Sequence, residues 1–177
     1  PGGKKASMAA FNIKDGTVIW EAEPLGQGPQ YVNPALIEYA GKKMIVTVMG
    51  TYIFAVDSKD GKVLWKVNYP ATGRVMKNHA TTPIFRDGYI LIANGYNWVA
   101  LKLKLSEDGN SVEKIWENRS FDPQHGGVVL IGNNIYGTTH MSKPVDMWAC
   151  VDWTTGKTLW TTKWYARGSI ISADGML

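Results

Sequence analysis

Few groups in this chain could do acid–base or ligand chemistry: three histidines (His79, His125, His140), one cysteine (Cys150) and 15 carboxylates. Polar, aromatic and cationic residues recur in four separate stretches, residues 30–34, 77–83, 122–127 and 164–169. They supply four ligand-binding candidates, Asn33, His79, His125 and Arg167. An imidazole can move a proton or ligate a metal, and a guanidinium can hold an anion through its fork of donors. His79, His125 and Arg167 together could serve a hydrolase or lyase. Two imidazoles without a third ligand at a recognisable spacing do not make a metal site, so no metal is expected. The plainer alternative is that these residues cap strand ends and bond loop backbone or water. His140, past the end of a strand, reads as an outer loop residue. No nucleophile elbow, P-loop or dinucleotide fingerprint occurs, and no catalytic residue is assigned. The pair Gly126-Gly127 is expected to allow close strand packing rather than phosphate binding.

The elements that must position these groups are set by a repeat. Trp20, Trp65, Trp116 and Trp160 each end a segment in which an apolar strand enters a tight turn and leaves onto the indole. A period in the forties means one supersecondary unit used several times. Each unit has four strand signals; in the second they are 34–37, 44–48, 52–56 and 63–67. Asp-Gly occurs five times, always between such runs, where a hairpin needs positive φ. Counted from a small residue (Ala10, Ala55, Ala100, Cys150), the third strand is apolar on both faces, so it is covered on both sides. Antiparallel four-stranded sheets stacked between like sheets are the blades of a β-propeller. The expected fold is therefore all-β: an arc of three full blades and two partial ones, with blade parts at about 6–24, 31–69, 79–119, 125–164 and 167–177. Residues 1–177 are expected to be one such segment of a longer propeller.

The repeat resembles a known pattern. Ala-x-Asp-x-x-x-Gly-x-x-x-Trp is the tryptophan-docking motif of PQQ-like, quinoprotein-type propellers, and Ala55, Asp57, Gly61 and Trp65 match it in full. Ala10, Gly16 and Trp20 match with Asn12 in the Asp place; Asp152, Gly156 and Trp160 match with Cys150 in the Ala place. The third copy departs, carrying Lys102 and a longer turn before Trp116. In this reading the tryptophans are staples between blades: the small residue leaves room for an indole, the Gly permits the turn, and Asp or Asn ties the turn down.

The resemblance implies two functions. One is a non-catalytic, exported binding or scaffolding module, periplasmic or extracellular, presenting channel-face loops to a protein, glycan or small ligand, as in the outer-membrane assembly lipoprotein with this kind of propeller. The other is a subunit of a PQQ-dependent alcohol or sugar dehydrogenase. That site needs an adjacent cysteine pair, calcium and an Asp base, so PQQ with calcium is expected only if further blades complete it; otherwise no cofactor is expected. The net charge of +4 is spread among scattered Lys and Arg, which gives no phosphate-facing patch and argues against nucleic acid. No apolar run approaches the ~18 residues of a membrane span.

Overall fold

The computed structural model describes residues 3–124, 126–141, 147–163 and 167–177. Its described strands form one two-stranded and three four-stranded antiparallel sheets, each a meander in chain order. The pair is β1 (Ala9–Phe11) with β2 (Val18–Glu21). The first complete blade runs β3 (Ala35–Tyr39), β4 (Lys42–Met49), β5 (Tyr52–Asp57) and β6 (Val63–Asn68). The second runs β7 (Ile84–Arg86), β8 (Tyr89–Ile92), β9 (Ala100–Leu105) and β10 (Val112–Asn118). The third runs β11 (Val129–Ile131), β12 (Asn134–Thr138), β13 (Trp148–Asp152) and β14 (Thr158–Thr162). A further hairpin turn follows, closed by the bridge Ala173–Met176. Three apolar clusters fill the spaces between successive sheets. The fold is the expected propeller arc.

Two turn chemistries build it. Ala40-Gly41, Asp87-Gly88 and Asp174-Gly175 hold both central residues at positive φ, the geometry that matches the twist of a two-residue hairpin. The turns before the motif tryptophans instead use the side chain of Asp57, Asp152 or Asn12 as acceptor. Lys59 N–H donates to Asp57 at 2.8 Å, Thr155 N–H to Asp152 at 2.6 Å and Lys14 N–H to Asn12 at 2.9 Å.

The ladder partners align the blades residue by residue and correct the reading of the third repeat. Ala35, Val46, Ala55 and Trp65 form one rung across the first complete blade. The matching rungs are Ile84-Leu91-Lys102-Trp116 and Val129-Tyr136-Cys150-Trp160. Lys102, not Ala100, therefore stands in the small-residue place. Its ammonium crosses to the following blade, donating to the Trp153 carbonyl at 2.9 Å and lying 4.3 Å from the centroids of Tyr89 and Trp153. Burial holds its pKa below the usual lysine value, with Arg86 adding to the pull and Asp152 opposing it. Because Trp116 also donates to the Trp153 carbonyl, that acceptor is not orphaned when the ammonium is lost. Lys102→Met keeps the stem and removes the desolvated charge, so it is expected to change unfolding free energy by less than about 1 kcal/mol, measured by urea denaturation.

Candidate functional site

In a four-stranded meander the loop that leads into a blade and the hairpin between its second and third strands emerge on the same face. His140 therefore does not lie on an outer loop. It sits buried on the face of the leading loops, with its N–H donating to Asp122 at 2.8 Å. The repeat's own geometry contained that signal, since strands alternate direction.

Rung alignment also shows which leading-loop residues are equivalent. Five positions before the first rung residue stand Gln30, His79 and Gln124; four positions after the second stand Gly50, Gly95 and His140. His79 and Gln124 each grip the preceding blade at that second position. His79 Nε2 lies 2.7 Å from the Gly50 carbonyl, and Gln124 Oε1 accepts from Gly95 N–H at 3.1 Å. Arg167, in the next leading loop, does the same work: its Nη1 donates to the His140 carbonyl at 3.1 Å and to His140 Nδ1 at 2.5 Å. A guanidinium has no acceptor to offer, so that ring nitrogen is unprotonated. The loops are chained as well. Gln30 Oε1 accepts from His79 N–H, Tyr31 N–H donates to the His79 carbonyl, and Gln124 Nε2 donates to Asn78. A Cβ on Gly126 would lie 2.2 Å from Ser169 Cα, so a glycine is required where these two loops touch.

Two of the candidates read from sequence, His79 and Arg167, thus hold successive blades together. His79 is fully buried, 4.8 Å from the Trp98 ring centroid and 5.5 Å from that of Tyr69. Its Nδ1 has no hydrogen-bond partner. Burial draws its pKa down to about 4, the Lys77 charge adds to the fall, and the bond to Gly50 opposes it. Asn33 is exposed and stands three residues beyond the equivalent position. His125 lies outside the described residues. Gln30 and Gln124 also carry the face and are missed by the sequence reading, because a glutamine in a loop has no motif to announce it.

Asp122, fully buried, is the acceptor that organises the mouth. It takes backbone N–H bonds from His140, Met141 (2.9 Å) and Asn97 (3.3 Å), tying hairpins of two blades. Tyr96 and Asn97 reach positive φ in that hairpin, which side chains seldom adopt without such ties. Both of its carboxylate oxygens are engaged by backbone amides. The lone cysteine is buried on β13, so the adjacent pair of a quinone site cannot form within these residues. Among the described residues no group of three or more His, Cys, Asp or Glu is placed to hold a metal. The described residues do not fit PQQ with calcium.

What the face does offer is a mixed surface of Tyr31, Met76 and Met141, all largely exposed, near Lys77 and Arg167. Aromatic, Met and Arg side chains are the types enriched where proteins meet. No helix is long and apolar enough to cross a membrane among the described residues.

A family model described as outer membrane protein assembly factor BamB matches residues 2–162. The outer membrane protein assembly factor BamB of Shewanella oneidensis is 21% identical over 97% of this chain and 42% of its own length. Among solved structures, BamB from Moraxella catarrhalis superposes with a TM-score of 0.60 at 12% identity, covering 89% of this chain and 46% of that one. The computationally designed Ika8 protein gives 0.61 at 13% identity, covering 98% and 49%. The chain thus spans about half the length of the relatives it matches.

Proposed function

This chain belongs to the family described as outer membrane protein assembly factor BamB, with PQQ-type repeats, and we propose that it is a non-catalytic binding scaffold in that kind of assembly. The family match carries the reading, and the mouth of the arc supports it. The buried polar residues there direct their hydrogen bonds to loops and blades, while the exposed Tyr31, Met76 and Met141 offer contact area. The partner is a protein of the outer-membrane assembly machinery, met in the periplasm. Asn33 and Arg167 flank this surface as its polar contacts. A glycan or small ligand would call for a pocket that converges on it.

Site-directed photocrosslinking in cells tests this. A crosslinking residue at Tyr31 or Met76 is expected to capture outer-membrane assembly proteins, and one at Lys59, on the opposite face, is not. Equal capture from both faces, or none from either, would sink the channel-face assignment. Quinone absorbance and dye-linked alcohol oxidation after adding PQQ and calcium would overturn the non-catalytic one.

A further inference from the structure

The loop that leads from β6 into β7, residues 69–83, is strapped to the hairpin of the blade it enters. Ala71 bridges to Trp98, and the Thr72 N–H and hydroxyl both donate to the Asn97 carbonyl, at 2.9 and 3.1 Å. Asn97 Nδ2 donates to the Arg74 carbonyl at 3.0 Å, and Trp98 Nε1 to the Met76 carbonyl at 2.8 Å. Trp98 is buried and stacked on Tyr69, ring centroids 4.8 Å apart, so the strap is anchored in the core. Tyr96 and Asn97 hold φ of +62 and +67, a costly conformation that persists only where the surroundings fix it. The bonds at Arg74 and Met76 fall on backbone carbonyls, while the side chains of Arg74, Met76 and Lys77 are exposed.

The two faces of the arc arrange their charges differently. On the face opposite the mouth, cations and carboxylates mingle: Lys43 meets Glu38 at 3.0 Å and Lys104 meets Glu113 at 3.9 Å. Lys59 and Lys62 share one turn with Asp57 and Asp60. At the mouth, the leading loops 22–34 and 69–83 and the hairpins 50–51 and 93–99 carry only Glu23, Arg74 and Lys77 as charged side chains. Among the described residues neither Arg74 nor Lys77 forms an ion pair; Lys77 Nζ donates to Gln27 Oε1 at 3.1 Å. The two cations stand three residues apart on the strap, with Met76, 53% exposed, between them.

We propose that this strap selects the partner at the channel face by receiving an acidic segment of it, with carboxylates on Arg74 and Lys77 and an apolar side chain on Met76. The inference rests on the scaffold reading above and names the chemistry of the partner at that same surface. A guanidinium fork takes a carboxylate through two parallel bonds, and an ammonium takes one as a point charge. Exposed pairs of this kind add little affinity each, but they steer the encounter and reject partners of like sign. A strap already fixed by its neighbours loses less freedom on binding than a slack loop. A phosphate surface, of lipid or nucleic acid, calls for a denser cluster of Lys and Arg than two cations set around a methionine.

A photocrosslinking residue at Tyr31 reads this out in cells, because the Tyr31 N–H bonds the His79 carbonyl at the foot of the strap. The captured segment, mapped by mass spectrometry, is expected to be rich in Asp and Glu. Arg74→Glu with Lys77→Glu should lower capture about tenfold, and Lys placed at the acidic positions of the captured segment should restore it. Lys59→Glu with Lys62→Glu, on the opposite face, should change nothing. Circular dichroism checks that the strap variant folds; if it does not, Arg74→Glu decides alone. Undiminished capture by the strap variant, an equal loss from the opposite-face variant, or a captured segment without carboxylates would overturn this inference and leave the scaffold reading standing. No capture at Tyr31 in the unaltered protein would overturn both, and strap-dependent flotation with phosphatidylglycerol vesicles would then assign the cations to a membrane.

Discussion

Alanine at Gly156 is expected to cost about 3–5 kcal/mol of folding free energy, as much as removing the Trp116 side chain altogether. Two effects combine. The backbone there has φ +72, where a Cβ costs about 1–2 kcal/mol. The added methyl would also stand 2.5 Å from the indole of Trp116, a contact that neither the turn nor the buried ring can absorb in place. The indole must leave, and its hydrogen bond to Trp153 leaves with it. Gly132→Ala, at φ +56 with open space around it, is expected to cost only the backbone share. A double-mutant cycle separates the two parts. In the Trp116→Ala background, the cost of Gly156→Ala should fall to about 1–2 kcal/mol, because there is no longer a ring to displace. Additive costs in urea unfolding would mean that the glycine matters only through its backbone.

The architecture was legible because one period carried it: the tryptophans, the Asp-Gly turns and the doubly apolar third strands all gave the same blade boundaries. Alignment within the period was less so. Ala100 and Lys102 both precede Trp116 on one strand, and a small residue is the natural origin for counting. Only the hydrogen-bonded rung, Leu91-Lys102-Trp116, shows that a lysine fills the small place. The consequence of this departure is visible one blade earlier. The longer turn before Trp116 offers Trp65 no carbonyl, and its Nε1 is buried without a partner among Leu101, Leu103 and Leu105.

The candidate residues were harder still. The loops leading into the blades could be located from the repeat, but their lengths differ, so likeness of residue type stood in for likeness of position. His79 and Arg167 share a post that Gln124 also holds, and no shared chemistry links the three side chains. What they share is reach: each is long enough, with a polar end, to grip the backbone of the preceding hairpin.

That exchange of glutamine for histidine at one post supplies the second large effect. His79 is neutral and buried in the folded protein, with a pKa drawn down to about 4, and returns to about 6.5 when the chain unfolds. Between those values the unfolded chain binds a proton that the folded one refuses, so stability falls as pH drops from 6.5 towards 4 and is flat above about 7. Each pH unit across that window is worth about 1.4 kcal/mol, which brings the full loss to about 3 kcal/mol. Carboxylates such as Asp108, held down to about 2 by Ser106 and Asn110, also weaken the fold as they are protonated in acid, so the total slope is not His79's alone. The variant isolates it. Gln already serves at the equivalent Gln124, so His79→Gln can donate from its amide to the Gly50 carbonyl without a titrating ring. Urea midpoints measured from pH 4 to 8 should converge for the two proteins at low pH or cross in favour of the variant, with wild type holding its advantage only above pH 6.5. Parallel curves would mean that the imidazole takes up its proton in place, with the Gly50 bond opened to solvent.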